Sequence, residues 1–138
     1  MGNFGLKVNR FYEIFVEQNG YVMVLEGLKN TLLIAVIGLI IGIVIGTLIA
    51  AIRTIPQYKV LPRVLNGICS VYVGIFRGTP MVVQLLVFYY VMLPLMGVKM
   101  TGVQVSMIVF GLNSAAYISE IMRSGIMSVD SGQMEAGR

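Results

Sequence analysis

The chain has 138 residues, of which 57% are hydrophobic and only 12% charged, and its mean hydropathy is +0.88. A soluble domain of this length rarely has such a composition, which therefore predicts an integral membrane protein. The ten cationic residues, which give a net charge of +4, are scattered between apolar runs rather than gathered in a stripe, so they favour lipid head groups over nucleic acid as the partner. Cys69 is the single cysteine and histidine is absent, which excludes a disulfide framework and argues against a metal site.

Residues 1–30 mix charged and apolar side chains ahead of the first long apolar run. Lys7, Arg10 and Glu13 lie among residues such as Phe11, a pattern typical of an amphipathic segment at the membrane interface. A cleavable signal peptide is not indicated, because no compact cationic start leads into an apolar stretch with a small-residue cleavage site. We therefore expect the first span to be retained.

Residues 31–52 contain no charged residue and are rich in Leu, Ile and Val. As a helix they would extend roughly 33 Å, enough to cross a hydrocarbon core of about 30 Å. Small residues recur at every fourth position, at Gly38, Gly42, Gly46 and Ala50, and form a smooth strip that lets another helix approach closely. We interpret the strip as packing within the chain rather than as a dedicated dimer motif, because such patterns are common in membrane bundles.

The turn expected after this span, residues 53–63, carries three cationic residues, no acidic residue and two prolines. The positive-inside rule places such a turn in the cytoplasm. Lys29 and Lys99 flank the opposite side, so the charge difference between the two sides is small.

Residues 60–96 form the second expected span, and from Val64 onward Arg77 is its one charged residue. A straight helix of this length would overshoot the bilayer, at roughly 50 Å. Gly78 and Pro80 can divide it into two short spans, or bend one span that continues into an interfacial segment. We favour one interrupted span, in which Pro80 frees a backbone carbonyl that a neighbouring group must satisfy.

The third expected span, residues 101–124, is the most polar of the three. At 100° per residue, five polar positions fall within about 60° of one another. These are Ser106, Asn113, Tyr117, Glu120 and Ser124. We expect this face to avoid lipid, because an ionised carboxylate facing hydrocarbon costs on the order of 3 kcal/mol.

Glu120 and Arg123 lie one helical turn apart, so the arginine can neutralise the carboxylate. The pair either only holds helices together near the cytoplasmic end or borders a translocation path, and the sequence leaves both readings open. Arg77 has a guanidinium that can bind a carboxylate in bidentate fashion. We interpret Arg77 as a structural or gating residue rather than a direct substrate ligand.

Two motifs carry a family resemblance. The first is Phe76-Arg77-Gly78-Thr79-Pro80, followed by Gln84 and Leu85. The second, within residues 125–138, comprises Gly125, Ser128, Gly132, Gln133, Glu135 and Ala136. Both resemble, in the same order, motifs of ABC-transporter permeases for polar amino acids, and the second resembles their cytoplasmic coupling loop, the EAA loop. Gly137 stands where that family often has a second alanine.

The resemblance implies an all-helical permease bundle of five spans, of which these 138 residues are the amino-terminal part, with three spans. It implies that residues 125–138 begin the coupling loop, and Asp130 with Gln133 is typical of the start of a short helix near Ser131. The residues expected to couple to the ATPase are Gly125, Ser128, Gly132, Gln133, Glu135, Ala136 and Gly137. Those expected to line or gate the path are Arg77, Gly78, Thr79, Pro80, Gln84, Asn113, Tyr117, Glu120 and Arg123.

The implied partners are ATP-hydrolysing ABC subunits, a second permease subunit that is identical or similar, and an extracytoplasmic amino-acid-binding protein. The implied location is the inner membrane, with the amino terminus outside and the carboxyl end in the cytoplasm. The sequence contains no Gly-rich phosphate loop of the Walker type, so we expect no cofactor here and ATP hydrolysis in a separate subunit.

Two other classes of protein are weighed against a permease fragment. A small membrane interaction or assembly subunit, using the strip from Gly38 to Ala50, would explain the length without truncation. An intramembrane enzyme is disfavoured, because the sequence has no Ser-His, Asp-Asp or metal-ligand constellation. We expect a fragment of an importer permease whose intact form carries a polar amino acid.

Overall fold

Helices form the regular structure of the chain, which a computed structural model describes over residues 3–56 and 58–129, and no strand occurs within those ranges. The α-helices are α1 (Asn3–Tyr12), α2 (Gly20–Thr54), α3 (Val60–Gly78), α4 (Met81–Val87), the single turn α5 (Leu93–Leu95) and α6 (Gly102–Met127). Two π-helical turns, Glu13–Glu17 and Phe88–Met92, follow α1 and α4. The prediction of an all-helical fold is confirmed for this part of the chain.

Three of these helices are long and apolar enough to cross a membrane, judged by length and composition over the residues described: α2, α3 and α6. The stretch Met81–Leu95 is a shorter apolar helix. The predicted architecture of three transmembrane helices is therefore confirmed.

The sequence predicted one amphipathic segment over residues 1–30. The described part of the amino-terminal unit, which ends at Leu33, instead contains two separate helical stretches. Helix α1 and its π-helical turn end before Asn19, which has a φ of +56°, and α2 begins at Gly20. Helix α2 thus begins before residue 31, where the first membrane span was predicted to start. Charged residues mark the expected edge of the membrane, but they do not stop a helix, because lysine and glutamate are good helix formers.

The interruption expected at Gly78 and Pro80 is present as a break between α3 and α4. Thr79 and Pro80 have extended backbones, with ψ values of 144° and 136°. Proline lacks the N–H that would continue the helical hydrogen bonding, and the residue before a proline is pushed away from helical angles. The segment then runs through α4, the second π-helical turn and α5, and ends at Gly97 with a φ of +67°.

Helix α6 begins with a reciprocal cap. The Thr101 hydroxyl oxygen accepts a hydrogen bond from the Gln104 backbone N–H at 3.3 Å, and the Gln104 side-chain oxygen accepts one from the Thr101 N–H at 2.9 Å. This capping box satisfies two backbone donors that the first turn leaves free. It fixes the start of α6 at the position where the third span was expected.

The small-residue strip of α2 lies against α6 of the same chain. A Cβ placed on Gly38, Gly42 or Gly46 would lie 3.3, 2.7 or 2.9 Å from the nearest side-chain atom of α6. The atoms met in turn belong to Phe110, Ser114 and Ile118, and Ala50 is buried next on the strip. Residue numbers increase in the same direction along the contacting positions of both helices, so α2 and α6 run parallel.

Helix α3 completes the core by packing on the same region. Ile49 of α2, Val73 of α3 and Ala116 of α6 form a buried cluster. The Tyr72 hydroxyl donates a hydrogen bond to the Leu112 carbonyl oxygen of α6 at 2.5 Å. This packing brings the ends of α2 and α3 to the polar face of α6.

Candidate functional site

The carboxylate of Glu120 is held by arginines from three helices. Arg53 of α2 donates from Nη1 to Oε2 at 2.6 Å, and Arg123 of α6 donates from Nη2 to Oε1 at 3.1 Å. Arg77 of α3 places its Nη1 3.9 Å from Oε2. Each helix that contributes to the core thus contributes to this cluster, which we call the Glu120 cluster: Arg53, Arg77, Glu120 and Arg123.

The arginines of the cluster differ in how firmly they are bound. The side chain of Arg53 is 11% exposed, and its Nε is buried without a hydrogen-bond partner among the described residues. Arg77 is 44% exposed, and its guanidinium lies 5.5 Å from the centre of the Tyr117 ring. A short, charge-assisted contact away from water is stronger than a long exposed one. Arg53 is therefore the principal partner of Glu120, while Arg77 remains largely open to solvent.

The sequence indicated the pairing of Glu120 with Arg123, which is present, but missed Arg53. Arg53 was assigned to the turn of residues 53–63, whereas the structure places it in the last turn of α2. A signal was available, because Gly46, Ala50 and Arg53 follow one another at spacings of four and three and so share a helix face. The strip that approaches α6 ends in the arginine that reaches Glu120.

A second polar group satisfies the backbone at the break between α3 and α4. The Phe76 carbonyl would normally accept from the N–H four residues later, but that residue is Pro80, which has none. Instead, Gln84 Nε2 and Asn113 Nδ2 donate to this carbonyl at 2.9 and 3.2 Å. Asn113 also donates to Gln84 Oε1 at 3.1 Å. The carbonyl freed by the proline thus has two side-chain donors.

The same amides link the break to α6. Gln84 and Asn113 are each 7% exposed, and Gln84 Nε2 also donates to the hydroxyl oxygen of Thr79 at 2.9 Å. That hydroxyl donates in turn to the Ile75 carbonyl at 2.8 Å. Gln84, Asn113 and Thr79, all predicted to lie along a path, therefore lie in the junction between α3, α4 and α6.

We expect Asn113→Leu to destabilise the protein by about 2 kcal/mol, because it removes one donor from the Phe76 carbonyl and leaves Gln84 Oε1 without its partner in a buried place. Reversible unfolding in mixed detergent and dodecyl sulfate, followed by circular dichroism, measures the loss. Asn66→Leu makes the same change in α3 outside this network and serves as the control. Equal stability of the two variants would contradict the role given to Asn113.

Two members of the Glu120 cluster, Arg77 and Glu120, border an open surface pocket of about 370 Å³. The pocket is lined by Arg77, Tyr117, Glu120, Ile121 and Ser124. Its lining offers a guanidinium, two hydroxyl groups and a carboxylate, which are groups that bind polar, ionised small molecules. No group of three potential metal ligands of the His, Cys, Asp or Glu type occurs in the described ranges.

The first residues of the expected coupling loop are helical. Helix α6 runs to Met127, so Gly125 lies within it, and Ser128 forms its cap with a side-chain hydrogen bond to the Gly125 carbonyl at 2.8 Å. The helix thus continues past residue 124, the predicted end of the third membrane span, since a single glycine weakens a helix without ending it. The expected cap at Asp130 and the remaining motif residues lie outside the described residues. Those motif residues are Gly132, Gln133, Glu135, Ala136 and Gly137.

Comparison with known proteins gives close relatives, although no family profile matches the chain. A Rickettsia bellii protein, provisionally named a glutamine transport system permease protein, is 41% identical over 113 residues, which are 82% of this chain and 50% of that protein. The arginine transport system permease protein of Bacillus subtilis is 39% identical, with 82% of this chain and 49% of the relative covered. The L-cystine transport system permease protein of Bacillus subtilis is 36% identical, with 88% and 50% covered.

A solved structure also matches, the crystal structure of an amino acid ABC transporter with histidines. The TM-score is 0.74 at 32% identity, and the match covers 90% of this chain and 56% of the other. Fold and relatives together define the class as the membrane subunit of an ABC transporter. Within that class, the similar proteins are permeases named for glutamine, arginine and cystine transport, which supports the resemblance that the two motifs indicated.

The chain spans about half the length of the curated relatives it matches. Those relatives are named as transport system permease proteins. Their names and the apolar helices indicate a membrane protein.

Proposed function

We propose that this chain is part of a permease subunit through which an ABC transporter imports polar amino acids across the inner membrane. The observation that carries the proposal is the similarity, over more than four fifths of the chain, to relatives named for glutamine, arginine and cystine transport. A small assembly subunit is not favoured, because these relatives are transport permeases. The small-residue strip that it would use for association also packs within the chain.

The proposed orientation has the amino terminus outside and the carboxyl end in the cytoplasm. Two observations support it. Helices α2 and α6 run parallel, and the ion pair of Arg53 with Glu120 joins their carboxyl-terminal ends, so the cationic turn after α2 and the motif after α6 share a side. By the positive-inside rule that side is the cytoplasm. One interrupted span between α2 and α6, residues 60–96, then returns the chain to the outside.

The proposed mechanism couples the motif of residues 125–138 to the Glu120 cluster through one continuous helix. Helix α6 carries Glu120 and runs on through Gly125 to Met127. A rigid helix transmits a displacement along its length. Because Arg53 of α2 holds Glu120 and Arg77 of α3 lies 3.9 Å from the same carboxylate, a movement imposed on the motif by an ATPase subunit would reach all three helices. The pocket at Arg77 and Tyr117 would then open or close as the helices shift.

The proposed partners are those that the similarity to ABC-transporter permeases implies. ATP is hydrolysed by separate ABC subunits that contact the coupling motif, and an extracytoplasmic binding protein delivers the amino acid. A second permease subunit, of the same or a similar sequence, completes the path. Large exposed apolar side chains along α2, such as Leu39 and Ile43, are suited to lipid or to neighbouring helices.

Glu135→Lys tests the proposal in the transporter that contains this chain, reconstituted with its ATPase subunits in proteoliposomes. We expect ATP-dependent uptake of radiolabelled polar amino acids by the unmodified protein. The variant should insert normally but lose most uptake, because a reversed charge in the coupling motif disturbs the contact with the ATPase.

Glu17→Lys reverses the same charge far from the motif in the sequence, and it should transport normally. Unchanged uptake by Glu135→Lys would contradict the coupling role. Absence of uptake of every polar amino acid by the unmodified transporter would contradict the proposed function itself.

A further inference from the structure

We propose that one anionic phospholipid binds where the segment from α4 to α5 meets the start of α6, with its phosphate at Lys99 and one acyl chain between α4 and α6. Binding of this kind requires only that the chain lies in a membrane, whatever the transported substrate. Two neighbouring surface pockets that share a pair of tyrosines supply the two parts of such a site. One pocket contains a cation, and the other is mainly apolar.

The first pocket, which we call the end pocket, lies where α5 is joined to α6 and has a volume of about 370 Å³. Its lining includes Tyr89, Tyr90, Leu93, Pro94, Val98 and Lys99. An ammonium group and phenolic hydroxyl groups can all donate hydrogen bonds to phosphate oxygens. The end pocket therefore combines phosphate-binding groups with apolar surface.

The backbone on both sides of Lys99 is fixed by hydrogen bonds. The Gly97 N–H donates to the Pro94 carbonyl at 3.1 Å, and the N–H of the next residue donates to the Leu93 carbonyl at 3.1 Å. With the positive φ of Gly97, these two bonds form a Schellman motif that ends α5. The capping box of α6 begins two residues after Lys99. A backbone held in this way reduces the entropy that is lost when Lys99 binds a ligand.

The second pocket, which we call the side groove, has a volume of about 210 Å³ and lies between α4 and α6. It is lined by the same two tyrosines together with Leu85, Leu86, Gly102, Val105 and Ser106. The Ser106 hydroxyl donates to the Gly102 carbonyl at 2.8 Å, so its proton is already used. The side groove thus presents mainly apolar surface, which suits a hydrocarbon chain.

The shared tyrosines join the two pockets in the order that a membrane lipid requires. The rings of Tyr89 and Tyr90 lie 4.9 Å apart at 83°, within the π-helical turn Phe88–Met92. Turns of this type are frequent at functional sites, and tyrosine favours the boundary between membrane and water. The side groove extends along α6 from its first residue, Gly102, toward the interior of the span. A lipid would therefore place its head group at the membrane edge and its chain in the hydrocarbon.

The charge of Lys99 determines which head group is preferred. A lysine near the membrane surface attracts anionic lipids. A zwitterionic head group carries its own cation beside the phosphate, and repulsion between that cation and Lys99 offsets part of the attraction. We therefore expect phosphatidylglycerol to bind about fivefold more tightly than phosphatidylcholine with the same acyl chains.

Photolabelling of the transporter that contains this chain, purified in detergent and freed of lipid, tests the proposal. A phosphatidylglycerol analogue with a diazirine in one acyl chain should label residues 85–106, as mapped by peptide mass spectrometry. Unlabelled phosphatidylglycerol should displace it at about fivefold lower concentration than phosphatidylcholine. Lys99→Gln should abolish this preference. Lys59→Gln removes an equal charge from an exposed position before α3 and should preserve it.

Gly102→Leu is the second variant, and it tests the side groove without a change of charge. No atom lies within 4 Å of a Cβ built at Gly102, so leucine should fill the groove without disturbing the fold and reduce labelling at least about fivefold. Gly67→Leu makes the same change at an equally open position of α3 and should label normally.

Three results would each overturn the proposal. The first is equal displacement by the two lipids, which is expected of lipids that only surround the protein. The second is the same labelling and preference in each variant as in its control. The third is the absence of label from residues 85–106, as expected if another part of the transporter covers the groove. None of these results bears on amino-acid uptake, which is measured separately.

Discussion

Replacing Glu120 by glutamine is expected to destabilise the helical bundle by about 3 kcal/mol, because the neutral amide leaves the largely buried guanidinium of Arg53 without its counter-charge. The substitution breaks the 2.6 Å ion pair that ties α2 to α6, and Arg123 loses its partner at the same time. The three arginines would then repel one another at the ends of three packed helices. Reversible unfolding of the chain in mixed micelles, followed by circular dichroism, measures the free energy directly.

The matched control for this change is Glu26→Gln. It removes one carboxylate of the same kind from an exposed position of α2 that is not part of the Glu120 cluster. A surface substitution of this type usually alters stability by less than about 0.5 kcal/mol. If Glu120→Gln is as stable as Glu26→Gln, the cluster contributes nothing to holding the helices together.

The second large effect is expected from Gly46→Leu. A Cβ at this position would lie 2.9 Å from the Ile118 side chain and 3.0 Å from the Ala115 carbonyl oxygen. A backbone atom cannot rotate out of the way, so a leucine would force α2 away from α6. Overpacking of this kind costs about 3 kcal/mol, and separation of the two helices would also pull Arg53 from Glu120. The same unfolding measurement should show the destabilisation.

Gly27→Leu is the comparison variant for this prediction. It makes the same substitution in the same helix, but no atom lies within 4 Å of a Cβ built there. Leucine has a higher helix propensity than glycine, so this variant should be unchanged or more stable by up to about 1 kcal/mol. Equal destabilisation by the two substitutions would show that the strip is not a tight contact between α2 and α6.

Much of the backbone was predictable because its causes are local in sequence. The uncharged run of residues 31–52 required a membrane helix, and Pro80 had to interrupt the second span because it has no N–H. The need for a donor to the freed carbonyl was also evident, although the sequence could not say that Gln84 and Asn113 supply it. Helices α2 and α6 extend beyond the predicted spans at residues 31 and 124, because charge and polarity mark membrane edges rather than helix ends.

The site was only partly predictable, because its main contact joins residues distant in the chain. Glu120 and Arg123 lie on one helical turn, and spacing was enough to pair them. Arg53 is separated from Glu120 by 67 positions, and a terminal arginine after an apolar span is equally suited to lipid head groups. Which of these partners it takes depends on how closely α2 approaches α6.

The sequence by itself thus determined the membrane class, the three spans, the break at Pro80 and the family motifs, since each depends on composition or on neighbours within a few residues. Only the tertiary structure decided that α2 packs directly against α6 and that Arg53 is the principal partner of Glu120. It also left Arg77 facing the pocket beside Tyr117. The physical reason is that these features depend on close packing of the glycine strip against α6, and helix-to-helix distances of that kind are not encoded in the periodicity of either helix alone.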